Sequence, residues 1–476
     1  MIWKRSGQRI LLWSLGALAG LFFVHHFLNY LRDPVFLGEL IMLEIVIASL
    51  WRYETVFFPM LILVFVWAGT SLPFYPYALS ARWPVLGVGA IAGAALWMRR
   101  SRQSFSEFHL VAFLALSAAA TSALVSNDRV SSLLKVLSLV LLFLYGSTGA
   151  RLAITQREGR FVRALLKACQ IIVFLSLAAY AAGFALWGNP NSLGAVMGTV
   201  MMPTLVWGFL IAETRPEKYV AASTIFACTV LLYVALSRAS LLAATVSTVT
   251  LCICLRRWRL LIKAALLVAI FVGTAAVFEP VHFARFTASL SSNIVHKGKK
   301  EQTLFSSRTT PWEQTVSSLR EHPWFGTGWG TSDMGTGVHG VELNIAAGIH
   351  TLEGTNREHG NSYLALAEYV GFLGLLPFSL LIFLVIRMIW RVSAWMHRTS
   401  NARHCAVPLA MILLAGLVDA FFEDWMVAVG YYLCVFFWTG AFLLCDVMPE
   451  HQSLPLRARL SSHPNFARLS GNAAQS

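Results

Sequence analysis

Long apolar runs separated by short polar breaks fill most of this chain. Fourteen windows reach or approach the roughly 20 apolar residues that a membrane-spanning helix needs. They cover 10–28, 35–50, 55–72, 83–98, 108–126, 130–148, 163–187, 191–212, 219–236, 239–255, 260–278, 361–386, 406–422 and 425–445. Several are short, so the pattern predicts an all-α polytopic membrane protein with about 12–14 transmembrane helices. The expected order is an N-terminal bundle of about eleven helices over 1–278, an exported loop over 279–360, C-terminal helices over 361–446, and a polar tail over 447–476. The first window follows Lys4, Arg5 and Arg9 and has no clear small-residue cleavage site, so it reads as an uncleaved anchor. The tail contains Pro449, Pro455 and Pro464 and is expected to be cytoplasmic and disordered.

Composition supports that reading. Hydrophobic residues make up 57 % and charged residues 13 %, against about 25 % charged in soluble domains; mean hydropathy is +0.65. These figures exclude a disordered chain, a collagenous fibre and a disulfide scaffold. The net charge of +14 needs no nucleic acid, because cytoplasmic loops of membrane proteins retain Lys and Arg. With the N-terminus inside, the cytoplasmic segments hold 25 of the 37 basic residues, while 279–360 holds seven basic and eight acidic residues. Both termini are therefore expected in the cytoplasm and the loop outside. None of the seven cysteines lies in that loop, and Cys252 and Cys254 lack metal-site spacing.

An exported loop of 82 residues is long enough to carry function or structure of its own. Within it, Thr310-Pro311-Trp312-Glu313 reads as a capping box with proline at the first helical position. Trp312, Val316 and Leu319 follow as an amphipathic stripe, and the helix should stop near His322-Pro323. Trp324-Phe325-Gly326-Thr327-Gly328-Trp329-Gly330 lacks the flanking strand and helix of a nucleotide fingerprint and reads as a tight turn at the membrane interface. His322, His339, His350 and His359 match no metal-ligand spacing. A helix resumes at Asn361-Ser362, either of which can cap it.

Three features at the exported face carry candidate chemistry. Arg238 lies in a very short turn between two apolar helices, where it either snorkels to the interface or contacts an anion. Arg308 precedes the capped helix, whose N-terminal dipole and N–H groups favour an anion, and its guanidinium fork suits phosphate oxygens. His359 stands where the loop re-enters the membrane and is either a cap or a general base. Its neighbours Glu358 and Asn361 are candidates for sugar or acceptor contacts. Glu39 and Glu44, with Asp419, Glu423 and Asp424, either line a proton path or are interface charges or sugar contacts.

The ordered set of motifs resembles the O-antigen ligase and O-antigen polymerase superfamily of bacterial envelope proteins. The matching pieces are Asn189-Pro190-Asn191-Ser192-Leu193-Gly194, Leu236-Ser237-Arg238-Ala239-Ser240, and Ser307-Arg308 leading to Trp312. His322 to Gly330, His359-Gly360-Asn361-Ser362-Tyr363-Leu364 and Glu368 to Gly374 complete the set. The resemblance is strong over about 190–376. It implies a C-type glycosyltransferase fold, metal-independent chemistry without a cofactor, and a glycan donor on undecaprenyl diphosphate at the outer face of the bacterial inner membrane. It further implies that Arg238 and Arg308 bind the diphosphate and that His359 orients or deprotonates the acceptor hydroxyl of a glycan or lipid. Ligase and polymerase share these motifs. One departure is Gly360, which separates His359 from the asparagine that often follows it directly in the family.

A transporter of a lipid-linked glycan or small anion is the competing class. Transfer chemistry predicts that Arg238, Arg308 and His359 converge at one exported site. Transport predicts a through-path lined by Glu39, Glu44 and Asp419, and the sequence shows no inverted repeat that would favour it.

Overall fold

The computed structural model describes Gly16 and residues 34–73, 75–100, 105–155, 157–278, 306–331 and 359–449. The described residues form helices and no strand. In order these are α1 Pro34–Trp51, α2 Tyr53–Ala68, α3 Tyr75–Arg100, α4 Glu107–Val125, α5 Arg129–Ile154, α6 Glu158–Ala181 and α7 Pro190–Ile211. They continue with α8 Arg215–Ala235, α9 Arg238–Cys254, α10 Trp258–Phe278, α11 Ser306–Glu321, α12 Ser362–Thr399, α13 Ala406–Asp419 and α14 Tyr432–Asp446. Thirteen of the fourteen apolar windows thus coincide with helices, and the first, Gly16 apart, lies outside the described residues. Seven described helices (α3 to α8 and α12) are long and apolar enough to cross a membrane, and α2, α9, α13 and α14 are shorter apolar helices.

The outer surface explains the composition. Ile91, Phe113, Phe226, Leu376 and Trp390 are all exposed, and large apolar side chains distributed around a helical bundle need lipid rather than water against them. The centre is formed by α13 and α14, whose residues are almost all buried. α9 lies along α13, and α4 lies along α12. Small residues allow the closest crossings. A Cβ on Gly93 of α3 would come within 2.8 Å of the Gly149 Cα in α5, the kind of approach that drives helix association in lipid.

Two local departures from the sequence reading matter for the site. α11 starts at Ser306, not after Thr310, so Pro311 lies inside the helix and Arg308 in its first turn. Pro311 is the sixth helical residue, past the unpartnered N–H groups of the first turn, so it removes one intrahelical bond near the helix start; the Thr310 capping signal is bypassed and the serines at 306 and 307 begin the helix. The expected stop is observed: α11 ends at Glu321, before His322-Pro323. The stripe faces differently from the expected one, with Thr315 and Ser318 buried, Val316 exposed, and Trp312 meeting Phe421 ring to ring.

The second departure is a break in α12 at Gly371, with φ 62° and ψ −173°. Breaking a helix frees backbone groups that lipid cannot satisfy. The segment 323–331 satisfies them here: Phe372 N–H donates to Pro323 O at 2.8 Å, Leu373 N–H to Trp324 O at 3.2 Å, and Thr327 N–H to Glu368 O at 2.9 Å. Ser122 closes the remaining gap by donating to Tyr369 O. A Cβ on Gly371 would sit 2.5 Å from the Trp324 carbonyl carbon, so only glycine allows this interlock. Trp324 and Phe325 at the start of the glycine-rich run are exposed, and Gly326 to Thr331 are buried as a plug against the break. Trp329 is buried and stacked on Phe378 at 5.3 Å, Ser132 donates to Trp329 O at 2.9 Å, and Lys135 donates to Gly330 O.

Candidate active site

At one end of the bundle, the segment 419–432 between α13 and α14 folds inward. Trp425, Met426, Val427 and Val429 are buried, and Trp425–Val427 make one 3-10 turn, so the second of these helices starts at Tyr432 rather than near 425. This inward segment meets Arg308, His359 and Ser240, two residues from Arg238, and buried polar groups in such a place must find partners.

Arg238 is the first residue of α9. The chain reverses there because Leu236 takes a left-handed conformation, φ 51°, after α8. Ser237 Oγ lies 2.8 Å from Ser240 Oγ, and Ser240 donates to Asp419 Oδ1 at 3.1 Å; Trp425 Nε1 donates to the other oxygen at 2.8 Å. The Asn189-to-Gly194 motif supports this corner from beneath. Asn189 caps α7 by accepting from Asn191 N–H at 2.8 Å, and a Cβ on Gly194 or Gly198 would strike Ser237 or Ser240.

Arg308 reaches from α11 to Glu423, Nη2 to Oε1 at 2.7 Å, with both side chains mostly buried. It lies against the backbone of Gly360, where an added Cβ would be 2.5 Å from Nη1. Gly360 has φ 62°, so the extra residue between His359 and Asn361 is the floor beneath the guanidinium. Arg238 and Arg308 are close enough for their charges to repel each other, and Arg308 also acts on Asp419. The two arginines thus converge.

His359 is wholly buried and placed between carboxylates. Its Nε2 is 3.2 Å from Glu368 Oε2 and its Nδ1 is 3.6 Å from Asp424 Oδ2, while its backbone N–H donates to the same Asp424 oxygen at 2.9 Å. Neither ring nitrogen is aligned for a good hydrogen bond, so the contact is one of charge rather than of directed bonding. Burial disfavours the charged imidazole, but Asp424 and Glu368 outweigh it and raise the His359 pKa above its ordinary value. Asp424 shows the converse: burial pushes its pKa up, and His359, through ring and backbone, more than cancels this and holds the carboxyl below its usual range. Glu423 goes the other way. Burial, against the pull of Arg308 and helped by Asp419 and Asp424, pushes it up to about 7.

Asn361, the other flanking candidate, caps α12 by accepting from Tyr363 and Leu364 N–H at 2.9 and 3.1 Å. Glu358, His339 and His350 lie outside the described residues. His322 is exposed just after α11, whereas His359 is buried. Sequence reasoning left the carboxylates unassigned, although each carried a signal. Glu368 is an acid inside an apolar run, and Glu423 with Asp424 fills the polar break between two runs. Arg82, not singled out from sequence, is buried and donates to Gly430 O at 2.7 Å, tying α3 to the inward segment.

Residues 223–379 match the O-antigen ligase family. This match supports the O-antigen ligase and polymerase superfamily and, in general, an O-antigen ligase-like role in glycan transfer. The matched segment holds Arg238, Arg308, His359 and Glu368, while Asp419, Glu423 and Asp424 join from beyond its C-terminal edge. No curated protein matches the chain. Among the described side chains, two of the acids considered for a transporter's through-path lie apart, and that of Glu39 is outside the described residues. Glu44 is exposed on α1, which packs against α2 and α3, whereas Asp419 is buried beside Ser240 and Trp425. A separate cleft of about 820 Å³ lies near the opposite end, lined mainly by apolar residues of α4 and α5 such as Phe113, Leu116, Phe143 and Leu144. It holds none of the converging charges.

Proposed function

We propose that this protein transfers a glycan from undecaprenyl diphosphate to an acceptor hydroxyl at the outer face of the bacterial inner membrane, as a surface-polysaccharide ligase or polymerase. The observation that carries the reading is the convergence of Arg238 and Arg308 beside a buried His359 and three carboxylates. A diphosphate carries charge that two guanidinium groups match in number and geometry. When the bond to the anomeric carbon breaks, the leaving diphosphate gains charge, and donors already held in place stabilise it. No metal or cofactor enters this scheme.

His359 serves the acceptor side. Because its ring is buried between Glu368 and Asp424, its positive charge fixes the Asp424 carboxylate, which is the more exposed member of the pair. His359 therefore orients the acceptor hydroxyl through Asp424 rather than by touching it. The positive-inside pattern of the sequence supports both termini in the cytoplasm, which would put the 419–432 segment at the external face.

The test replaces the cell's own copy by His359→Ala, Arg308→Ala or Arg238→Ala at matched protein level. Surface-polysaccharide length, its attachment and the undecaprenyl-diphosphate-linked intermediates are then measured. The expected result is loss of polymer or of attachment, with lipid-linked donor accumulating outside. Single leftover repeats mark a polymerase and long unattached chains mark a ligase. Wild-type glycan from all three variants would overturn the site.

A further inference from the structure

Resting on the transferase reading above, we infer that Glu423 is the general base for the acceptor hydroxyl, held on Arg308 until the donor diphosphate takes that arginine. Glu423 Oε1 lies 2.7 Å from Arg308 Nη2, where an anion would meet that guanidinium. Its backbone is pinned while its side chain stays partly open. Glu423 O accepts from Ser362 Oγ at 2.6 Å and its N–H donates to Asp419 O at 3.1 Å, but the carboxylate keeps 18 % exposure. The side chain can therefore pivot about a fixed point. Around it stand Arg308 from α11, Asp419 and Asp424 on its own segment, and Tyr431 before α14.

These neighbours set the chemistry. Asp424 is committed to His359 and is a weak base, being held below the usual carboxylate range. Glu423, raised to about 7 by burial, is matched to proton transfer near neutral pH. A diphosphate outcompetes one carboxylate for Arg308 because it brings more charge and more acceptor oxygens. The freed carboxylate then loses its cation, keeps Asp419 and Asp424 beside it, and becomes more basic. In the transfer step, the acceptor oxygen forms the new bond to the anomeric carbon and its proton goes to Glu423. The bond from that carbon to the diphosphate oxygen breaks, and its electron pair leaves with the polyprenyl diphosphate. The proton later passes to water. Acceptor activation thus waits for the donor, which guards the site against an idle base.

The test uses the full chain in proteoliposomes, comparing wild type, E423Q, E423D and R308A. Binding is read with undecaprenyl diphosphate itself, and single-turnover transfer with lipid-linked glycan isolated from the producing cells, across pH 5.5–8.5. E423Q should bind undecaprenyl diphosphate at least as tightly as wild type, yet lose transfer by about 100-fold or more, the usual weight of a general base. E423D should keep part of the rate together with the wild-type acid limb. In wild type, kcat/KM should rise through about 7, and the kcat limb should lie higher, because kcat reports the donor-bound site. Transfer by E423Q within about threefold of wild type, with the acid limb intact, would overturn the assignment. Loss of diphosphate binding in E423Q as severe as in R308A would also overturn it, leaving Glu423 as a positioning residue for Arg308. If wild type itself forms no glycosidic bond, the transferase reading fails first.

Discussion

Two buried arginines at opposite ends of the bundle show what distinguishes a strut from a site. Arg151, on α5, is fully committed. Its Nε and Nη2 hold both oxygens of Asp446 at 2.6 and 2.7 Å, Nη1 lies 3.1 Å from His109 Nε2, and the guanidinium stacks on Trp97 at 4.2 Å. Arg308 meets Glu423 beside two further carboxylates, a second arginine and a bare glycine backbone. One constellation is closed around its charge. The other collects more charge than its own pairing needs, and it does so where the polypeptide folds inward. A buried arginine by itself therefore says little, and the surplus around it says more.

Substitutions at the two arginines should have opposite effects. Arg308→Ala should lower transfer by about 10²–10³-fold, the cost of removing one preorganised donor, with the melting temperature in detergent nearly unchanged. Arg308→Lys should restore little, since an ammonium cannot replace the fork. Arg151→Met should do the reverse. Breaking a buried pair while leaving its partner charged costs about 3–5 kcal/mol, so unfolding should come markedly earlier while specific activity of the folded protein holds. The double variant Arg151→Met with Asp446→Leu should recover most of that stability. If Arg151→Met instead abolishes transfer in folded protein, the distinction between the two ends fails.

Gly360→Ala sharpens the same contrast at smaller scale. Its left-handed backbone would cost about 1–2 kcal/mol with any L side chain, and the new methyl would push on Arg308. Transfer should fall more than stability does, and a fall in stability alone would remove Gly360 from the site. The smallest effect is on pH. The His359 pKa is raised in the folded protein, so its stabilisation is full below the ordinary value near about 6.5 and fades as pH rises through the folded value. Glu423 is raised to about 7, so its share is full below the ordinary carboxylate value of about 4.3 and fades on the way up to 7. Asp424, lowered, contributes above its ordinary value of about 3.9 and fades on acidification. Thermal stability should therefore decline from pH 5.5 to 8, and the combined variant His359→Gln with Glu423→Gln should flatten the decline; an unchanged slope would contradict the assigned shifts.

Much of the bundle was legible in the chain because lipid imposes a simple requirement: about 20 apolar residues per crossing. Helix ends were legible less well where charged residues snorkel, as at Glu158–Ala181 against an apolar window of 163–187. The window over 425–445 merged the inward 3-10 turn with α14, because Trp425, Met426 and Val427 are as apolar as a spanning helix. The break at Gly371 was invisible, since its cost is met by carbonyls and N–H groups of the distant segment 323–327. Among site residues, Arg238, Arg308 and His359 were readable as charges in unusual places. Their carboxylate partners were present in the sequence, but the pairings of Arg308 with Glu423 and His359 with Glu368 depend on how α11, α12 and the inward segment meet.

The central claim is that this cluster makes a glycosidic bond. The most direct measurement reconstitutes the full chain in proteoliposomes with undecaprenyl-diphosphate-linked glycan and an acceptor, and follows both glycosylated acceptor and released undecaprenyl diphosphate. The two products should form in equal amounts, and both should be lost with Arg308→Ala. Movement of intact lipid-linked glycan across the bilayer, with neither product formed, would contradict the claim.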